Sequence, residues 1–138
     1  MIEKILKIEE AENIIREVFE LIDEKDYKNA RVKVEKAYDS FKGNSFNEGV
    51  SICLSLISFL DYSEDKNTYE SSTKLLHDAI FMAQRANSDT AILINELVLG
   101  NLNFSACSKS NDFTISKLSS YTSMIGDPFS ILSLPANT

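Results

Sequence analysis

Proline is almost missing from this 138-residue sequence, and both copies, Pro128 and Pro135, fall at its very end. The strongest helix breaker is therefore absent up to Asp127, which favours an all-helical fold. Only four glycines occur, tryptophan does not, and runs with the alternating pattern of strands are nearly absent. Histidine occurs once, at His77. That excludes a multi-histidine metal site, the Glu-x-x-His pair of di-iron bundles and a His-Glu-x-x-His helix. Cys53 and Cys107 are too few and too distant for a zinc knuckle. Both sit in apolar helical stretches, where cysteine behaves as a small hydrophobe. A glycine-rich phosphate loop is missing as well. No metal, no cofactor and no catalytic residue is expected.

Basic residues are also in deficit. With 14 Lys and Arg against 21 Asp and Glu, the net charge is -7, which argues against nucleic acid and anionic membranes as partners. Charges at Glu3, Lys4, Lys7, Glu9, Glu10 and Glu12 interrupt the start of the chain. This segment does not read as a signal peptide, and a cytoplasmic location is expected.

What is present is amphipathic helix. Ile8, Ala11, Ile15, Val18 and Ile22 recur in steps of three and four, as do Tyr27, Ala30, Val34, Ala37 and Phe41. Each set keeps one side of a helix dry. The charged Asp23-Glu24-Lys25-Asp26 between them predicts a tight reversal and an antiparallel hairpin, with Asp26 as N-cap of the second helix. Glu3 with Lys7 and Glu12 with Arg16 fit i,i+4 pairs on the wet face. Gly43-Asn44 ends the second helix, and Ser45 with Glu48 has the pattern of a capping box opening the third.

The third helix, to about Leu60, is apolar almost all round, which predicts burial; Ser51, Ser55 and Ser58 form its one polar stripe. In the fourth, opened by Asn67 and Glu70, Tyr69, Thr73, Leu76, Ile80 and Ala83 are expected to face inward, helped by Leu75, Ala79 and Met82. The fifth runs from Asp89 to about Ser108 and carries Glu96 as its one charge beyond Asp89. Asn95, Glu96, Asn101 and Asn103 make it too polar for a membrane span, and a buried helix is expected. A sixth helix is predicted over Asn111 to Ile125. The whole reads as an all-α fold of about six helices in antiparallel hairpins, forming a single bundle or a short αα-superhelix with helices three and five central. Residues 1-126 form the domain, and the apolar tail 127-138 lies against it or against a partner.

Charge thins along the chain, from 20 charged residues in Met1 to Lys42 to 9 in Gly43 to Ser88 and 6 in Asp89 to Thr138. Interface cores are depleted in charge, so a homodimer is expected, with Leu93, Leu97, Gly100 and Phe104 as candidate interface. The leading functional reading is a non-enzymatic oligomerisation or protein-interaction module. The alternative is a small-molecule-binding protein or minor enzyme using a polar niche of Glu96 and Asn103, open at Gly100 and extended by the serine stripe. A lone carboxylate in an apolar helix must be paired, hydrogen-bonded or kept at the surface, because burying it bare costs on the order of several kcal/mol.

The segment Asp26-Tyr27-Lys28-Asn29-Ala30 through Val34, Glu35-Lys36 and Ala37 resembles the second helix of a tetratricopeptide repeat. In that family, small residues at the positions matched by Ala30 and Ala37 let paired helices pack closely, and a larger apolar residue takes the place of Val34. The resemblance implies related helix packing, not a peptide-binding groove. Val18, Leu21 and Lys42 stand where the family has its small residue, its tyrosine and its closing proline. No recurrence is read one period later, where Asp61 to Lys66 is loop. The six-helix pattern and length are also similar to a small uncharacterised all-helical archaeal family, which implies no activity and no site residues.

Overall fold

The computed structural model describes residues 2–108, which form five helices: α1 Ile2–Asp23, α2 Tyr27–Gly43, α3 Asn47–Ser63, α4 Tyr69–Arg85 and α5 Asp89–Ser108. Among the described residues there is no strand, and the fold is all-α. The sixth helix expected over Asn111 to Ile125 and the tail from residue 127 lie outside the described residues.

Each helix packs on the next, and α3 also packs on α5. The centre is therefore α3, which touches α2, α4 and α5; α5 is not its equal, since among the described helices it packs mainly on α3 and α4. Burial on α3 extends over Ile52, Cys53, Leu56, Phe59 and Leu60 and includes all three serines of its stripe. In the opening hairpin Ala11, Ile15, Val18 and Ile22 of α1 and Ala30, Val34, Ala37 and Phe41 of α2 are buried. Glu12 is also buried, at 1% exposure, and so leaves the wet face on which its spacing to Arg16 had placed it. On α4 the buried set is Ser72, Leu76, Ala79, Ile80 and Ala83, while Tyr69 and Leu75 are exposed. The dry face is centred on Ser72 and Ala79, not on Thr73, because two small residues permit the closest approach to the neighbouring helices.

Three of the helix starts are capped by side chains. Asp26 accepts from the Asn29 amide at 3.3 Å, Thr68 from Ser71 at 3.1 Å and Ser88 from Ala91 at 3.2 Å. The cap of α4 is thus Thr68, one residue beyond Asn67. The capping box expected at Ser45 does not form. Ser45 has φ 55°, Phe46 occupies the N-cap position, and no side chain caps α3. Ser45 is instead committed to closing α2.

That commitment is shared by all four turns. Lys25, Ser45, Asp65 and Asn87 each have a φ between 55° and 61°. Each donates its amide three residues back, to Ile22, Lys42, Tyr62 and Gln84, and the residue after each donates five back, to Leu21, Phe41, Asp61 and Ala83. This pair of bonds is the Schellman closure, which satisfies helix carbonyls that would otherwise lack a donor.

The recurrence extends to the core. Ala30, Val34, Ala37 and Phe41 of α2 correspond, 42 residues on, to Ser72, Leu76, Ala79 and Ala83 of α4, and all eight are buried. Ile52, Leu56 and Leu60 of α3 correspond in the same register to Ile94, Val98 and Leu102 of α5, again all buried. With a shift of 40, Ala11, Ile15, Val18 and Ile22 of α1 match Ser51, Ser55, Ser58 and Tyr62 of α3, which are buried as well. The chain is built from a repeated hairpin, α1–α2 and then α3–α4, and α5 begins a further copy.

Candidate functional site

Residues Ala91, Ile94, Asn95, Val98 and Leu102 line the buried side of α5. Leu93, Leu97, Gly100 and Phe104 lie on the opposite side, in a line set by steps of four, three and four. Leu93 is 40% exposed, Phe104 45%, Gly100 is exposed and Leu97 half-buried. A Cβ built on Gly100 would meet nothing within 4 Å. Glycine here thus marks no close contact with the other described residues.

Glu96 and Asn103 share this outer side and are both exposed. The Tyr69 hydroxyl donates to Asn103 Oδ1 at 2.5 Å, and the Tyr69 ring meets Tyr62 edge-on at 6.2 Å. Glu96 is not brought to the serines. The residue that meets them is its neighbour Asn95, which is fully buried. Ser55 Oγ donates to Asn95 Oδ1 at 2.9 Å, and Asn95 Nδ2 donates to Ser51 Oγ and to the Ala79 carbonyl, each at 3.3 Å. One carboxamide thus ties α5 to α3 and α4. Ser58 takes no part, since its hydroxyl bonds the Leu54 carbonyl of its own helix at 2.9 Å. The signal for Asn95 was its place among Ala91, Val98 and Leu102 on one helical face, where an asparagine needs a buried partner.

The remaining polar groups are dispersed. Arg31 joins α2 to the end of α3 through Asp61 at 2.5 Å and Glu64 at 2.9 Å. Burial alone lowers its pKa, but the hydrogen bonds and charges of the two acids outweigh that and hold the guanidinium above its usual value. Cys53 is buried, and desolvation pushes its thiol far above the ordinary range, which makes it unreactive. Cys107 is exposed, a departure from its expected role as a small core residue. His77 is exposed. An open groove of about 510 Å³ between the start of α3 and the end of α4 is lined by Asn47, Asp78, Phe81, Met82 and Arg85. It offers one acid and one base but no nucleophile.

Among the described residues no three metal-ligating side chains gather to hold an ion, and no helix is long and apolar enough to cross a membrane. Comparison with protein-family models, curated proteins and solved structures finds no match to this chain.

Proposed function

We propose that this protein is a non-enzymatic helical interaction module that self-associates into a homodimer through the outer side of α5. The observation that carries the reading is the line of Leu93, Leu97, Gly100 and Phe104, which carries no charge and in which Leu93, Gly100 and Phe104 are exposed. Exposed apolar surface of this kind marks interaction sites. The fall in charge from 20 residues in the first 42 to 6 from Asp89 onward supports the same end of the molecule, because interface cores exclude charge.

Sedimentation equilibrium on wild type and Leu97→Asp, with circular dichroism as the check on folding, tests the reading. Wild type is expected to be a dimer, and the variant a folded monomer. A folded variant that keeps the wild-type mass contradicts the interface. The alternative, a small-molecule binder at Glu96 and Asn103, has less support, since both residues are exposed and Ser51 and Ser55 bond to Asn95 instead. A metabolite that raises the melting temperature of wild type but not of Glu96→Ala would favour it.

A further inference from the structure

The two copies of the hairpin differ at one place on their outer surface. In the register that sets α2 on α4, Phe81 and Met82 stand where the first hairpin has Asp39 and Ser40. Asp39 is an ordinary exposed acid, whereas Phe81 is 59% exposed, and Met82 beside it is half-buried. Together they give an apolar floor to the groove of about 510 Å³ between the start of α3 and the end of α4. Asp78 and Arg85, both exposed, line the same groove, and the Arg85 guanidinium lies over the Phe81 ring at 5.9 Å. One acid and one base cancel, so the groove suits an apolar occupant that brings no charge of its own.

The chain holds such a segment and has the length to place it there. Phe129 to Leu134, Phe-Ser-Ile-Leu-Ser-Leu, carries four apolar side chains and no charge. The groove lies beside the turn from α4 to α5, and α5 runs away from it to the far end of α4, where Asn103 meets Tyr69. The helix expected over Asn111 to Ile125 would be about 22 Å long. Laid antiparallel to α5, as the earlier hairpins are, it returns the chain to the end of the fold that holds the groove. From Ile125 to Leu132 an extended chain spans about 24 Å, two to three times the 8–10 Å or so between packed helices. Pro128 and Pro135 favour extended backbone before them. We propose that the groove between α3 and α4 is the seat of residues 127–138 of the same chain, with Ile131 and Leu132 against Phe81 and Met82. This seat is independent of the self-association proposed above.

Disulfide trapping in the full chain tests it. In a Cys107→Ser background, Leu132→Cys is combined with Phe81→Cys, with Leu93→Cys on α5, or with Val32→Cys, a 63% exposed site on α2. Under mild oxidation the pair with Phe81→Cys is expected to give a disulfide within one chain as its major product, and the other two pairs none. A major product with Leu93→Cys would seat the segment on α5 and overturn the groove. A disulfide between two chains at position 81 would make the occupant a second copy, and no product at any site would leave the segment elsewhere; either result overturns the proposal. Maleimide labelling gives a second reading that needs no cross-link, with circular dichroism as the check on folding. The thiol of Phe81→Cys is expected to react more slowly in the otherwise native chain than when Ile131→Ser, Leu132→Ser and Leu134→Ser are added. Equal rates in folded proteins also overturn the seat.

Discussion

The ring of Phe41 fills the space that a side chain at Gly49 would need. A Cβ at Gly49 would fall 2.5 to 2.6 Å from the ring carbons Cγ, Cδ1 and Cδ2, well inside van der Waals contact. Phe41 closes α2, Gly49 opens α3, and the ring of Phe46 in the turn meets the same aromatic at 5.6 Å, tilted by 39°. The second hairpin solves this junction differently, with Ala83 and Ala91 at the equivalent places, both buried. Large-against-none in one copy is replaced by small-against-small in the other.

Substitution at this junction should therefore be strongly non-additive. Gly49→Ala is expected to cost about 1–3 kcal/mol through overpacking, and Phe41→Ala about 3–5 kcal/mol through the cavity it leaves. The double variant restores the arrangement of the second hairpin and should lose less than the sum of the two. Urea denaturation of the three variants measures the coupling. Strict additivity would mean that the ring and Gly49 do not compete for one space.

Ser72 offers a test in the opposite direction. Its hydroxyl is buried and has no hydrogen-bond partner among the described residues, and the first hairpin has Ala30 at the equivalent position. Removing an unsatisfied buried polar group recovers its desolvation cost, so Ser72→Ala should stabilise by about 1 kcal/mol. A fall in the denaturation midpoint would mean that the hydroxyl is satisfied in solution.

The serine stripe divides into members of unequal weight. Ser55→Ala removes a hydroxyl whose one proton is shared between the Ile52 carbonyl at 2.8 Å and Asn95 Oδ1 at 2.9 Å, and loses the tie to a buried carboxamide, at a cost of about 1–3 kcal/mol. Ser58→Ala removes only a bond to its own helix and should cost less than half as much. Equal losses in thermal unfolding would remove Asn95 from the account of how α5 is held.

Tyr27 gives the protein a pH dependence at its alkaline limit. Burial raises the phenol pKa above the usual 10.0, and a hydrogen bond with Ser63 offsets part of the rise. A folded-state pKa above the unfolded one means that the contribution is complete below pH 10 and is lost as pH rises through the folded value. Wild-type stability should therefore fall more steeply than that of Tyr27→Phe in denaturant titrations at pH 10 and above. Parallel curves would show that the phenol titrates alike in both states.

Much of the fold was legible in the sequence. The first two helices and their antiparallel turn followed from apolar residues in steps of three and four, and the burial of α3 from its lack of a wet side. The errors were rotations and shifts by one residue. On α4 the three-four pattern passes through both Thr73 and Ser72, and only packing decides that the smaller Ser72 and Ala79 lie innermost. On α5 apolar residues occur all round the helix, so hydrophobic periodicity could not separate the side facing α3 from the side facing away. The lone carboxylate drew attention to Glu96, but an exposed site satisfies a charge more cheaply than a buried one, and the buried polar role fell to Asn95. The repeat was hidden because its copies keep burial but not identity, with Ser72 for Ala30, Leu76 for Val34 and, with a large change of size, Ala83 for Phe41. The sequence at Ser45 fits a cap, yet the same residue is needed with positive φ to end α2.

The most direct test of the central claim is native mass spectrometry of the purified wild-type chain at micromolar concentration. Self-association through α5 predicts a species at twice the 15.5 kDa chain mass that dissociates in Leu97→Asp. A spectrum holding only the single-chain mass across the accessible concentration range would contradict the account.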